Sequence, residues 1–198
     1  MSLCKAIVVG DSGVGKTTLV RAAEGKGPSE HGGPTVGVDF ATFRHGDVRL
    51  SVWDTAGQER FRAMSAAYYR GVQACIIVFD LSAAETWDSV QSWLAEMRAH
   101  TTSSSRVFVV VVGNKSDAPR AVRGDLHMDL AVRNMGAQAY YETSALLSPS
   151  AAMQIFRDIC VSVTAPALET ATTHARVELV PNAQQRRDAG DVGNWCCT

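Results

Sequence analysis

The segment Gly10-Asp11-Ser12-Gly13-Val14-Gly15-Lys16-Thr17 has the residue types and spacing of a loop that wraps a phosphate chain. Glycines let the backbone curl so that successive N–H groups point at one anion, and Lys16 adds positive charge at the terminal phosphates. The Thr17 hydroxyl suits magnesium, and a helix starting behind the loop favours negative charge at its N-terminus. Asp11, Ser12, Gly13, Val14, Gly15, Lys16, Thr17 and Thr18 are the expected phosphate-side contacts. The plain alternative is a glycine-rich turn with a solvated lysine. An apolar run leading straight into the loop, and a helical segment leaving it, weigh against that.

Two further clusters carry related chemistry. In Asp54-Thr55-Ala56-Gly57-Gln58, Asp54 stands where a carboxylate would hold magnesium through a water. Gly57 would offer its N–H to the terminal phosphate, and Gln58 would orient an attacking water. Alone, a strand-ending aspartate reads as a turn residue; beside a phosphate loop it gains a function. In Asn114-Lys115-Ser116-Asp117, an aspartate is placed to accept hydrogen bonds from N1–H and the exocyclic amine of guanine, a pair that adenine lacks. A site built on such bonds rejects the wrong base, because its polar groups would be left unpaired. Ser144-Ala145 would supply the other wall, through backbone N–H to the guanine oxygen.

These clusters need elements to hold them. The apolar runs Ala6 to Val9, Cys75 to Phe79 and Val107 to Val112 predict strands buried on both faces, each followed by loop residues. Ser82 and Glu85 predict a capping box, ahead of a helical stripe through Trp87, Val90, Leu94 and Met97. Ser148-Pro149 starts a second helix, lined by Ala152, Ile155, Phe156, Ile159 and Val163 and stopped by Pro166. Alternation at Val38 and Phe40, and again at Val48, Leu50 and Val52, predicts an antiparallel hairpin turning near His45-Gly46-Asp47. Elsewhere strand alternates with helix, which predicts an α/β fold with a largely parallel sheet and helices on both faces. Ligands of such sheets sit at the carboxyl ends of the strands, where all the clusters above fall.

The 198 residues fit one domain plus an appendage, and 46% hydrophobic with 20% charged content is ample for a core. Nineteen basic residues against twenty acidic ones leave no electrostatic footprint for nucleic acid. The opening Met1-Ser2-Leu3-Cys4-Lys5 is not a secretory leader, Ser2 is not the glycine of myristoylation, and no apolar run is long enough to span a bilayer. The expectation is a soluble cytosolic protein without disulfides or zinc. Periodicity fades near Ala165, so the expected division is a globular domain over 1–165 and a flexible tail over 166–198.

In their order along the chain, the clusters resemble those of the Ras superfamily of small GTPases. The stretches Val36-Gly37-Val38-Asp39-Phe40, Arg49-Leu50-Ser51-Val52-Trp53, Arg60-Phe61-Arg62-Ala63-Met64-Ser65, Tyr68-Tyr69-Arg70-Gly71 and Val78-Phe79-Asp80-Leu81-Ser82 are similar, more narrowly, to Rab GTPases. The resemblance implies the P-loop NTPase (Ras-like) fold, a six-stranded, mostly parallel sheet with one antiparallel strand. It implies hydrolysis of GTP to GDP with magnesium, Gln58, Lys16 and Thr35 carrying the catalysis. Thr17, Thr35 and Asp54 would serve the metal. Pro34, Thr35, Gly57, Asn114, Lys115, Asp117, Ser144, Ala145 and Leu146 would join the loop around the nucleotide. Phe40, Trp53 and Tyr68 would form an aromatic patch for effectors, against the plainer reading of core packing. Trp53 follows Val52 directly, which places it on the outer face.

The tail ends Trp195-Cys196-Cys197-Thr198, without the four-residue prenylation box. Paired cysteines resemble doubly geranylgeranylated Rab tails, and two lipid chains anchor where one binds only marginally. The resemblance therefore implies a monomer on the cytoplasmic face of an intracellular membrane that cycles with the cytosol. It would work in vesicle and protein transport with an exchange factor, a GTPase-activating protein, an escort or dissociation inhibitor, and effectors. The phosphate loop supplies no arginine finger, a group worth ~10³–10⁵ in rate, so unaided hydrolysis is expected to be slow. Three departures stand out: Pro28 where the family has an aromatic against guanine, Gly32-Gly33-Pro34 ahead of Thr35, and Leu146 in place of a lysine. Pro28 and the glycines leave open a membrane-tethered scaffold that cycles weakly. A P-loop ATPase or nucleotide kinase is the third reading, disfavoured by Asn114 to Asp117.

Overall fold

The computed structural model describes residues 2–27, 38–55, 67–101, 106–122 and 128–164. Pro28, Gly32, Gly33, Pro34, Thr35, Gly57, Gln58 and the 166–198 tail with Cys196 and Cys197 lie outside the described residues.

The elements run β1 (Ser2–Val9), α1 (Lys16–Ala23), β2 (Val38–His45), β3 (Val48–Thr55), β4 (Ala74–Asp80), α2 (Ala84–Asp88), α3 (Val90–His100), β5 (Phe108–Asn114), α4 (Met128–Asn134), β6 (Ala139–Glu142) and α5 (Pro149–Thr164). The six strands form one sheet in the order β2-β3-β1-β4-β5-β6. Only β2 and β3 pair antiparallel, with His45 opposite Val48 across the Gly46-Asp47 turn. The remaining pairs are parallel.

Successive strand residues alternate between two cores, because side chains leave a pleated strand on opposite faces. Val8, Ile76 and Val110 face α1 and α5 in one cluster, which Phe156 and Ile155 complete. Their neighbours Ile7, Ile77 and Val111 face the other cluster, with Leu94 and Met97 of α3 and Val132 of α4. Each such side chain, fully buried, contributes roughly 1.5–3 kcal/mol. β4 has no exposed residue, which is why it reads as an unbroken apolar run. β1 starts earlier than its apolar run, at Ser2. Leu3 and Lys5 face a part of the sheet open to solvent, so periodicity becomes a continuous run only from Ala6, where both faces are covered.

The capping box at Ser82 is corrected. The residue before α2 is Ala83, with no side-chain cap, and the Ser82 hydroxyl donates instead to Asp80 Oδ1 at 2.6 Å. A carboxylate two residues back outcompetes the helix start. The predicted helix is divided at Ser89, which keeps helical φ −71 and ψ −18 and bonds its hydroxyl back to the Glu85 carbonyl. Pro149 opens α5 where its missing N–H costs nothing. Among the described residues no helix is long and apolar enough to cross a membrane.

The chain passes from β3 on one side of β1 to β4 on the other. That reversal opens a crevice at the carboxyl ends of the central strands. The end of β3 and the loops after β1, β5 and β6 meet there.

Candidate functional site

The loop after β1 turns on backbone shapes that only glycine tolerates. Gly10 has φ +143, and a Cβ there would run into the Val78 carbonyl oxygen. Gly15 has φ +92, and a Cβ there would strike the Asn114 amide. Gly15 also precedes α1 without a side-chain cap, so the first-turn N–H groups are not bonded to a capping side chain. Lys16 is folded back into the loop, donating from Nζ to the carbonyls of Gly10 at 2.9 Å and Asp11 at 2.8 Å. Burial pushes its ammonium down to about 8, partly offset by Asp54 and Asp11. A buried cation held by carbonyls gains from a phosphate anion.

Asp54, one residue from the end of β3, meets this loop from the other side. The Thr17 hydroxyl donates to Asp54 Oδ2 at 2.5 Å. Asp54 is 1% exposed, and its Oδ1 has no hydrogen-bond partner. Burial raises its carboxyl to about 6, opposed by the Thr17 bond and Lys16 and reinforced by Asp39. A buried carboxylate oxygen without a partner, beside a threonine hydroxyl, fits a hard cation such as magnesium. No group of three or more His, Cys, Asp or Glu that suits a metal occurs among the described residues. Magnesium does not need one, since it keeps waters and phosphate oxygens and takes one or two protein ligands.

Asn114, at the end of β5, ties two loops together. Its Nδ2 donates to the Val14 carbonyl at 2.9 Å, and its Oδ1 accepts from the Ala145 N–H at 3.0 Å. The Ala145 N–H, expected to face guanine, is therefore directed at Asn114 here. Ser144 is buried, with its Oγ accepting from the Leu147 N–H at 3.0 Å. Lys115 adopts φ +61, unusual for a side chain of its size, and its Nζ pairs with Asp80 Oδ2 at 2.7 Å. Asp117 is exposed at the loop, as a base acceptor must be, and Leu146 is 57% exposed. Thr18 is half-buried in the first turn of α1.

The structure joins Phe40, Trp53 and Tyr68 in a row: Phe40 meets Trp53 edge-on at 4.8 Å, and Trp53 lies 5.8 Å from Tyr68. Phe40 is 60% exposed, whereas Trp53 and Tyr68 are half-buried against the core. Thr35, Pro34, Gly57 and Gln58 lie outside the described residues, as do Cys196 and Cys197.

Sequence reasoning missed several supports. Trp93 of α3 donates from Nε1 to Asp11 Oδ1 at 2.8 Å, fixing the phosphate loop from behind. Asp80 collects the Ser82 N–H, the Ser82 hydroxyl and Lys115, which together hold its carboxyl below the usual range despite burial. Arg120 forks onto Glu142 with two 2.8 Å bonds, which pins the segment after Asp117 to β6. The one local signal was Asp80 itself, a carboxylate ending a fully buried strand.

The chain matches the family model described as "Ras family" over residues 5–165. It is 32% identical to Ras-related protein YPTC6 of Chlamydomonas reinhardtii, which covers 99% of this chain and 95% of that protein. It is 34% identical to Ras-related protein RABA5d of Arabidopsis thaliana, over 99% of this chain and 94% of the relative. Against Ras-related protein rab-11.1 of Caenorhabditis elegans, the identity is 39% over 73% of this chain and 69% of the relative.

Proposed function

Since the chain belongs to the Ras family of small GTPases, with Rab proteins among its relatives, we propose that it is a slow GTP/GDP switch, anchored to an intracellular membrane, that recruits effectors in vesicle traffic. Binding of guanine nucleotide and hydrolysis of GTP to GDP follow from the family itself. The observation that carries the switch reading is the buried head of the site: Lys16 in its loop, and Thr17 bonded to an Asp54 whose second oxygen lacks a partner.

In this reading Lys16 exchanges the Gly10 and Asp11 carbonyls for phosphate oxygens and neutralises charge that builds in the transition state. Thr17 and Asp54, joined by Thr35, would hold magnesium, which would supply positive charge at the terminal phosphates. Gln58 orients the attacking water, and the Gly57 N–H reports the terminal phosphate. Asn114 braces the loop from the base side, and Asp117 reads guanine, with Lys115, Ser144, Ala145 and Leu146 around it. Pro34 leads into Thr35, and the segments around Thr35 and Gln58 order only with the terminal phosphate present. That order completes the Phe40, Trp53 and Tyr68 surface for effectors. Residues 1–165 form the GTPase domain, and the 166–198 tail carries geranylgeranyl groups on Cys196 and Cys197. Two chains give stable anchoring. An exchange factor, an activating protein and a dissociation inhibitor complete the cycle of a monomer between cytosol and membrane.

Single-turnover hydrolysis tests this. Unaided, the GTP-loaded chain should turn over at about 10⁻⁴–10⁻² per second, and Gln58→Leu should slow it further. A Gln58→Leu variant as fast as the native chain would remove the proposed water-orienting role.

A further inference from the structure

On the side of the sheet that carries α2, α3 and α4, Phe40, Thr42 and Arg44 of β2 and Arg49 of β3 are exposed among the described residues. The register sets Phe40 beside Trp53, Thr42 beside Ser51, and Arg44 beside Arg49, with Lys5 of β1 next to Ser51. The upper end of this face is the aromatic row. The lower end is basic, and no Asp or Glu occupies this face on β1, β2 or β3. Arg44 and Arg49 are both exposed, lie directly opposite each other, and take part in no ion pair among the described residues. Like charges directly across a strand pair destabilise it, and no ion pair among the described residues offsets this one. Lys5 joins the two ends. Its Nζ sits 3.8 Å over the Trp53 ring and donates to the Arg70 carbonyl at 3.0 Å.

We propose that this open face takes an acidic segment of a partner protein, whose apolar anchor rests on Phe40, Trp53 and Tyr68 while its carboxylates meet Arg44 and Arg49. The inference rests on the effector-patch reading and adds the partner's charge and spacing to it. Phe40 and Arg44 are four residues apart on one strand, about 13 Å. An acidic pair must therefore follow the anchor by about four residues if the segment is extended, or about nine if it is helical. An anionic membrane is the weaker fit. Trp53 is half-buried beneath Lys5 and cannot insert, which leaves Phe40 as the one protruding ring of the row. A floor of rings receives a side chain better than it enters a bilayer.

The test uses the full chain loaded with a non-hydrolysable GTP analogue and two synthetic helical peptides. Each carries a Leu-Phe anchor and, about nine residues on, either three glutamates or three glutamines. Fluorescence polarisation at low salt should show the glutamate peptide binding about five- to tenfold tighter, a margin that shrinks as salt screens it. The Arg44→Ala/Arg49→Ala double variant should lose that margin and keep its binding of the glutamine peptide. Its melting temperature should not fall, so misfolding does not confuse the result. Trp53→Ala should weaken both peptides. Equal binding of the two peptides by the native chain, or a margin that survives the double variant, overturns the acidic-partner inference and leaves the aromatic patch standing. Failure of both peptides, or binding indifferent to Trp53→Ala, overturns the patch itself. Sedimentation of the unlipidated chain with phosphatidylserine vesicles, lost in the double variant, would assign the cations to a membrane and also overturn the proposal.

Discussion

Asp54 holds a charge that folding alone would not choose. Its carboxyl titrates near 6 because burial disfavours the ionised form, more than Thr17 and Lys16 favour it. The folded value lies above the unfolded one, so between about pH 4 and 6 the folded chain keeps a proton that the unfolded chain has lost. Stability of the nucleotide-free chain should therefore fall as pH rises through that window, by on the order of 3 kcal/mol for this group. Asp54→Asn, measured by urea unfolding without nucleotide, should gain about 1–2 kcal/mol at pH 7.5 and show no gain below pH 4. It should also lose the magnesium dependence of GDP retention. A variant no more stable at pH 7.5 would mean that burial does not dominate at Asp54. Pro28 belongs to the same scale. If its ring leaves guanine poorly stacked, Pro28→Phe should slow GDP dissociation, and equal rates would dismiss that idea.

Among the elements, β5 matters through its last residue. Asn114 is 2% exposed and bonds both the Val14 carbonyl and the Ala145 N–H. Asn114→Ala leaves both unpaired, at about 1–3 kcal/mol each, and should lower the melting temperature by roughly 4–24 °C. Asn114→Asp keeps the acceptor for Ala145 but not the donor for Val14, so calorimetry should place it between the two. If Asn114→Asp melts with Asn114→Ala, the Ala145 bond contributes little. On β3, Arg49→Thr should stabilise by a few tenths of a kcal/mol, because it removes a like-charged cross-strand pair. These ties mark the boundary of what the sequence discloses. The glycine turn between β1 and α1 was legible because its spacing is local, and β4 because burial on both faces leaves an apolar run. The sequence singles out Asn114 as an expected base-loop residue, while its part as a brace is visible only in the structure. Trp93 and Asp11 are distant in sequence, as are Lys115 and Asp80, and only the strand order brings such pairs together. Ser82 misled because a capping pattern cannot show a competing carboxylate two residues back.

At the scale of the molecule, the site is a junction between the two halves of the sheet. α1, entered from β1, and β3 supply Lys16, Thr17 and Asp54, while β5 and β6 supply Asn114 and the loop around Ala145. In the described residues, these halves touch at the site through hydrogen bonds such as Asn114 to Val14. A nucleotide spanning from Lys16 to Asp117 would add contacts to both halves at once, so its binding should register as global stability. At one hundred times the dissociation constant, a ligand specific for the folded state adds ~2.7 kcal/mol. For a chain of this length, that is a rise in melting temperature of about 5–11 °C. GDP with magnesium should produce it, and EDTA should remove the metal's share in the native chain but nothing further in Asp54→Asn. ATP should give almost no shift, since the guanine bonds to Asp117 would be missing. A shift with ATP as large as with GDP would place the grip wholly on the phosphates and return the base loop to a structural role.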